Sequence, residues 1–200
     1  AAFGPGVDAA LGLDAAAATK FAGGLAYQDP RLADAGVRIV TPAGQASGKF
    51  TAAGLVATDA AAYDYFRLGL ALPDGGADLV VDKSLMLESN FEVLHGVDFD
   101  KGCFVGQELT ARTKYRALVR KRLLPVLIDG PLPDPGTPLM VGEREVASMR
   151  SGQKDRGLAL VRLDRLADAG GLGQSLRAGE AEVTIQMPDW ADFDLNAEVV

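Results

Sequence analysis

One cysteine, one histidine and one tryptophan stand among the 200 residues: Cys103, His95 and Trp190. A single cysteine forbids any disulfide within the chain and fits a reducing compartment. It also limits metal chemistry, because one thiol and one imidazole eight positions apart cannot fill a site that needs four ligands, so no metal bound stably by this chain alone is expected. No run of eighteen apolar residues is present, so neither a membrane span nor a membrane partner is expected. The opening Ala-Ala-Phe-Gly-Pro-Gly shows no charged leader ahead of an apolar stretch, hence no secretory-signal pattern. With 48% hydrophobic and 24% charged residues, the composition fits an ordinary globular chain of one large or two small domains.

Net positive charge is concentrated in one place. Residues 101 to 122 hold seven basic residues (Lys101, Arg112, Lys114, Arg116, Arg120, Lys121 and Arg122) against the acid Glu108, a local +6 in a chain of net −7, which leaves −13 elsewhere. A basic strip on an acidic body suggests an anionic ligand or partner; general affinity for nucleic acid would come with a chain basic overall. The alternative is a row of solvated side chains snorkelling over the surface.

The same stretch contains the lone thiol. Gly102 and Gly106 bracket Cys103 and open backbone conformations closed to other residues, while Gln107 to Tyr115 lacks Gly and Pro and predicts a short helix. Glu108 and Arg112, four apart with the acid first, support that helix. Cys103 then lies just before a helix N-terminus, where free amides, the helix dipole and the charges of Lys101 and Arg112 favour thiolate. A buried, inert thiol is the alternative.

Elsewhere the pattern is α+β. Asp14 is a candidate cap for a helix over Ala15 to Phe21, stopped by Gly23-Gly24. Leu25 to Tyr27 and Val37 to Val40 predict strands around Asp29-Pro30-Arg31, with a turn at Pro42 to Gly44 and a further strand at Leu55 to Ala57. Thr58 or Asp59 can cap a helix from Ala60 to about Ala71, with Tyr63, Phe66 and Leu70 on one face, ended by Pro73-Asp74-Gly75-Gly76. A strand over Val80 to Glu88 follows, then Ser89-Asn90, and a loop through His95 reaches the cysteine. His95 reads as a surface or hydrogen-bonding residue, with general base the less common role. From Leu123 onward, Leu123 to Ile128, Pro138 to Val141, Val146 to Met149, Gly157 to Leu163 and Ala181 to Met187 are short apolar runs between Pro and Gly, which argue for a small barrel or sandwich. Pro125 suggests an edge or bulge in the first. Val183, Ile185 and Met187 alternate with Glu182, Thr184 and Gln186 in the last. Gly170 to Gly173 reads as a loop, and the acidic tail after Trp190 as solvated.

Lys101-Gly-Cys-Phe-Val-Gly-Gln-Glu108 resembles the signature of the YgfZ-type folate-binding proteins, relatives of the glycine-cleavage T-protein (GcvT), an aminomethyltransferase. Leu87-Glu-Ser-Asn90, Glu108 to Thr113, Arg120 to Pro125, Gly157 to Leu160 and Met187-Pro-Asp-Trp190 are similar to its mitochondrial-type branch, whose members assist assembly of four-iron, four-sulfur clusters. The resemblance covers the chain from about Tyr63 onward, and more weakly what precedes. It implies an α+β, GcvT/YgfZ-like folate-binding fold lacking its N-terminal segment, residues 1–118 forming the folate-binding region and 119–200 a small C-terminal β-barrel. It also implies tetrahydrofolate as ligand and cluster-assembly or client proteins as partners. Cys103 is then the reactive thiol, with Lys101, Gln107 and Glu108 beside it. Glu88 is the acid that accepts paired hydrogen bonds from the pterin, Asn90 its neighbour, and Arg112 with the basic strip suits the folate glutamate tail. Alternatives are a folate-dependent transferase moving a one-carbon unit, and a thiol-based cluster-docking module without folate. The free thiol and the Ala-, Gly- and Asp-rich composition lead to an expected bacterial cytoplasm, or a mitochondrial matrix if the source is eukaryotic.

Overall fold

The computed structural model describes residues 1–13, 18–44, 47–102, 107–115 and 119–193. The chain divides into two compact units, Ala1–Tyr63 and Asp64–Val200. The barrel strands begin at Lys121, near the boundary expected at 118/119, but the segment from Asp64 onward groups with them.

The first unit holds α1 (Val7–Leu11), β1 (Ala18–Phe21), β2 (Gly24–Gln28), a 3-10 turn at Ala33–Ala35, β3 (Val37–Val40) and α2 (Ser47–Ala52). The strands form an antiparallel sheet in the order β1-β2-β3. Val7, Leu11, Leu13, Ala26 and Val37 make its core, with Phe21 and Ile39 packed against them. The helix expected over Ala15 to Phe21 is overturned where residues are described, since Ala18–Phe21 is a strand. Ala22 and Gly23, with φ of 51° and 79°, take both left-handed positions of a two-residue hairpin turn, so the glycines reverse a strand and do not stop a helix. A Cβ on Gly24 would lie 1.9 Å from the Val40 carbonyl oxygen, so the β2–β3 approach requires glycine there. No strand forms at Leu55 to Ala57. Asp29, between the strands, is sealed at 1% side-chain exposure and ion-paired to Arg31 at 2.8 Å and Arg38 at 2.6 Å.

Helix α3 (Ala60–Gly69) spans the division and is capped by Asp59, whose Oδ1 accepts the Ala62 amide at 2.8 Å. Its buried residues are Arg67 and Leu68, one step round from the predicted apolar face. Arg67 is held inside the second unit: it donates to Asp64 at 2.6 Å, Asp78 at 2.7 Å and Ser151 Oγ at 3.0 Å, and Asp78 also accepts from Ser151 Oγ at 2.6 Å. This network ties the end of α3 and the loop after it to a barrel strand.

Residues 80–96, where a strand was expected up to Glu88, run as consecutive turns, with bonds such as Ser89 N to Leu85 O and Leu94 N to Asn90 O closing three or four residues back. Helix α4 (Gln107–Tyr115) has the predicted bounds. Then β4 (Lys121–Asp129), β5 (Pro138–Val141), β6 (Arg144–Gln153), β7 (Arg156–Arg162), β8 (Ser175–Ala178) and β9 (Ala181–Ile185) close a six-stranded barrel in the order β4-β7-β6-β5-β8-β9, with α5 (Leu163–Asp168) between β7 and β8. Leu124, Leu139, Val146, Met149, Val161, Leu176, Val183 and Ile185 fill it at 1% exposure or less. Each such side chain contributes roughly 1.5–3 kcal/mol through burial. Closure leaves no edge for Pro125. The proline is tolerated because β4 pairs with β9 only from Val126↔Ile185 onward, so its missing N–H falls where that ladder ends. Outside the barrel, Leu68, Ala71, Leu123 and Leu158 form a second cluster with Trp190, whose indole donates to the Leu70 carbonyl at 2.6 Å. The expected solvated tail after Trp190 is docked as far as Phe193, which packs against the barrel core; residues 194–200 lie outside the described residues.

Candidate functional site

Leu87-Glu88-Ser89-Asn90 meets the barrel at the start of β4. Leu123 donates its amide to the Glu88 carbonyl at 2.8 Å, and Asn90 Nδ2 donates to the Leu123 carbonyl at 2.6 Å. Arg122 Nη1 donates to the Leu87 carbonyl at 3.1 Å and approaches Asn90 Oδ1 at 3.4 Å. Leu87, Ser89 and Asn90 are buried, and Glu88 alone of the four is partly open. Its carboxylate has no hydrogen-bond partner among the described residues. Burial pushes this carboxyl above the usual glutamate range, and the charges of Lys121 and Arg150 oppose the shift. A half-buried, unpartnered carboxylate fits the amino-pyrimidinone edge expected of a pterin. Asn90 does not fit the neighbouring ligand role read for it. Its amide is wholly buried and engaged by Leu123 and Arg122, and its φ of 62° marks a left-handed turn residue.

Cys103 and Phe104 to Gly106 lie outside the described residues. Gly102, just ahead, takes a left-handed φ of 87°, as its position in the motif requires. Lys101 is exposed and Gln107, first residue of α4, is half-buried. Glu108 and Arg112 form the expected pair at 2.6 Å on the solvent face. Arg112 therefore offers an anionic ligand a charge already shared.

Helix α4 is built inside out. The residues turned toward the body are Gln107, Thr110, Ala111 and Lys114, whereas Leu109 (61% exposed) and Tyr115 (75%) stand in solvent with Glu108 and Arg112, and none of its nine residues is buried. Its C-terminal half is tethered by Lys114, which ion-pairs with Glu92 and lies 4.1 Å from the centre of the Phe99 ring, and by Tyr115 edge-on to Phe99.

The basic strip of the sequence is not one surface. Arg122 is 4% exposed and stacked 4.3 Å over Phe193, Lys114 and Arg112 are paired, and Arg116 lies outside the described residues. Beside it, Glu92, Val93, His95, Arg122, Asp192 and Phe193 line a cleft of about 350 Å³. His95 stands exposed at this cleft with a left-handed φ of 58°, in keeping with its reading as a surface residue. The burial of Arg122 and the Arg67–Asp78–Ser151 network were missed from sequence, because contacts between distant segments leave no local pattern.

Residues 120–193 match the family described as the CAF17 C-terminal beta-barrel domain. The mitochondrial iron-sulfur cluster assembly factor IBA57 of Mus musculus is 38% identical over 172 residues, 82% of this chain and 46% of that protein. The same factor of Homo sapiens is 37% identical over 177 residues, 84% of this chain and 48% of that protein. The chain is a homologue of the IBA57 assembly factors and carries the CAF17 C-terminal barrel domain. It spans about half the length of these IBA57 relatives. The homologue of Neurospora crassa, 43% identical over 103 residues, covers 52% of the chain and 23% of its own length. Within the family the closed barrel is the shared C-terminal domain, and the motif helix and the Leu87–Asn90 turn are what this chain sets beside it.

Proposed function

We propose that this chain is part of a tetrahydrofolate-binding accessory protein for iron–sulfur cluster assembly, in which Cys103 is the reactive thiol, α4 meets a partner and Glu88 seats the pterin. The relatives' names support the assembly role. The observation that carries the partner-facing reading is the inverted α4. A nine-residue helix is marginal without tertiary packing, and one that turns Leu109 and Tyr115 to solvent is suited to being covered by another protein. Cys103, which precedes this helix in the sequence motif, is the thiol this reading gives to a cluster that travels between proteins, and the cluster is cargo. Among the described residues no group of three potential ligands gathers to hold a metal.

Glu88 accepts the ring N–H donors while ionised, and its half-buried position strengthens the interaction by excluding water. No observation favours one-carbon transfer. The mitochondrial names of the relatives support the matrix option; the bacterial cytoplasm read from composition receives nothing from them. The test is calorimetric titration of the whole protein with tetrahydrofolate, beside transfer of a cluster to an apo-dehydratase. Saturable binding that Glu88→Gln weakens at least about tenfold, the loss of one charge-assisted hydrogen bond, is expected. Transfer without any folate binding would leave the docking module and remove the ligand.

A further inference from the structure

We infer that Asn90 and Arg122 are positioning residues that fix the backbone of Glu88 and thereby set its carboxylate for the ligand, an inference that rests on the reading of Glu88 as the ring-binding acid. Four contacts converge on three of the four residues of this turn, Leu87, Glu88 and Asn90. The carbonyl of Leu87 is held by Arg122 and that of Glu88 by the Leu123 amide, while the Asn90 side chain bridges the Leu123 carbonyl and Arg122. The residues flanking the acid are sealed, with Leu87 at 2% and Asn90 at 0% exposure. The turn that carries Glu88 is therefore held to β4 of the barrel by hydrogen bonds on both sides of the acid.

The chemistry at each position is specific. The left-handed backbone at residue 90 admits Asn or Gly readily, but only Asn adds an amide able to donate to one group and accept from another. Arg122 lays its planar fork against the Phe193 ring while one nitrogen, Nη1, reaches both oxygens, and a lysine would lose that stacking. A basic residue that the sequence places in a strip for anions thus has an interior task.

The experiment uses the whole protein and two readouts, the titration of the Glu88 carboxyl followed by carbon NMR and the affinity for tetrahydrofolate. Asn90→Gly keeps the backbone conformation and deletes the amide; Arg122→Lys keeps the charge and deletes the fork. Both are expected to weaken binding about tenfold, as for the loss of a well-placed hydrogen bond, and to move the Glu88 titration back toward that of an ordinary glutamate. Leu176→Val, which loosens the barrel core in strand β8, is expected to lower the melting temperature and change neither readout. Folded Asn90→Gly and Arg122→Lys proteins with wild-type Glu88 titration would overturn the inference. Absence of folate binding by the wild type would sink the ligand reading alone, and the titration then decides the positioning role by itself. Should Asn90→Gly fail to fold, Phe193→Leu, which strips the outer face of Arg122, takes its place with the same expected shift.

Discussion

At the scale of single residues, two of the perturbed carboxylates, Asp29 in the first unit and Glu88 in the second, behave in opposite ways. Burial disfavours the charge of Asp29, yet hydrogen bonds from Arg31 and Arg38 outweigh it and hold the carboxyl at about 2. A value depressed below the ordinary 3.8 stabilises the fold fully above the unfolded-state pKa, and that stability is lost as pH falls toward 2. The contribution is on the order of 2 kcal/mol. Asp29→Asn should therefore unfold at lower denaturant than wild type at pH 7, with the difference shrinking at pH 2, as chemical denaturation at the two values would measure. Glu88 has the reverse sign, because its raised value makes it protonate earlier as pH falls. Binding of tetrahydrofolate should weaken on acidification at a higher pH than an ordinary glutamate would give, and the Glu88→Gln variant should lose that pH dependence. A calorimetric series from pH 7 to 4 measures both, and unchanged pH dependence in the variant would assign the effect to another group.

At the scale of elements, what was legible followed from local pattern. Helix α4 was readable to its ends because nine residues without Gly or Pro carry an ion pair at helical spacing, and β9 because its alternation is clean. β1 was not, because Ala18-Thr-Lys-Phe suits either state and the hairpin geometry of Ala22-Gly23 decided it. β8 escaped as well. Its Ser-Leu-Arg-Ala offers two inward residues, and only closure of the barrel recruits them. The fold therefore showed itself where periodicity is local, while the clamp around Glu88 and the burial of Arg122 depend on which turn meets which strand. Two element-scale outcomes are expected. Asp78→Ala removes one partner of a sealed ion pair and should cost about 3–5 kcal/mol, measured by thermal or chemical unfolding. Leu109→Ser should change stability by less than about 0.5 kcal/mol, because the side chain is exposed, while reducing cluster transfer to a client. Unimpaired transfer would show that the outward face of α4 touches nothing.

At the scale of the whole molecule, a sealed barrel, a bolted turn and an exposed motif helix divide the labour between rigidity and contact. The barrel core supplies stability through residues that reach no ligand, and the segments that carry chemistry sit outside it, anchored by Asn90, Arg122 and Lys114. The IBA57 relatives carry about as much chain again as the stretch they have in common with this one. The account as a whole turns on Cys103. Cells lacking the native gene, supplied with the full-length protein or its Cys103→Ala variant, provide the most direct measurement: the activity of a cluster-dependent dehydratase. Restoration by the wild type and loss in the variant, at equal protein levels, is the predicted result; dehydratase activity restored equally by both would contradict it.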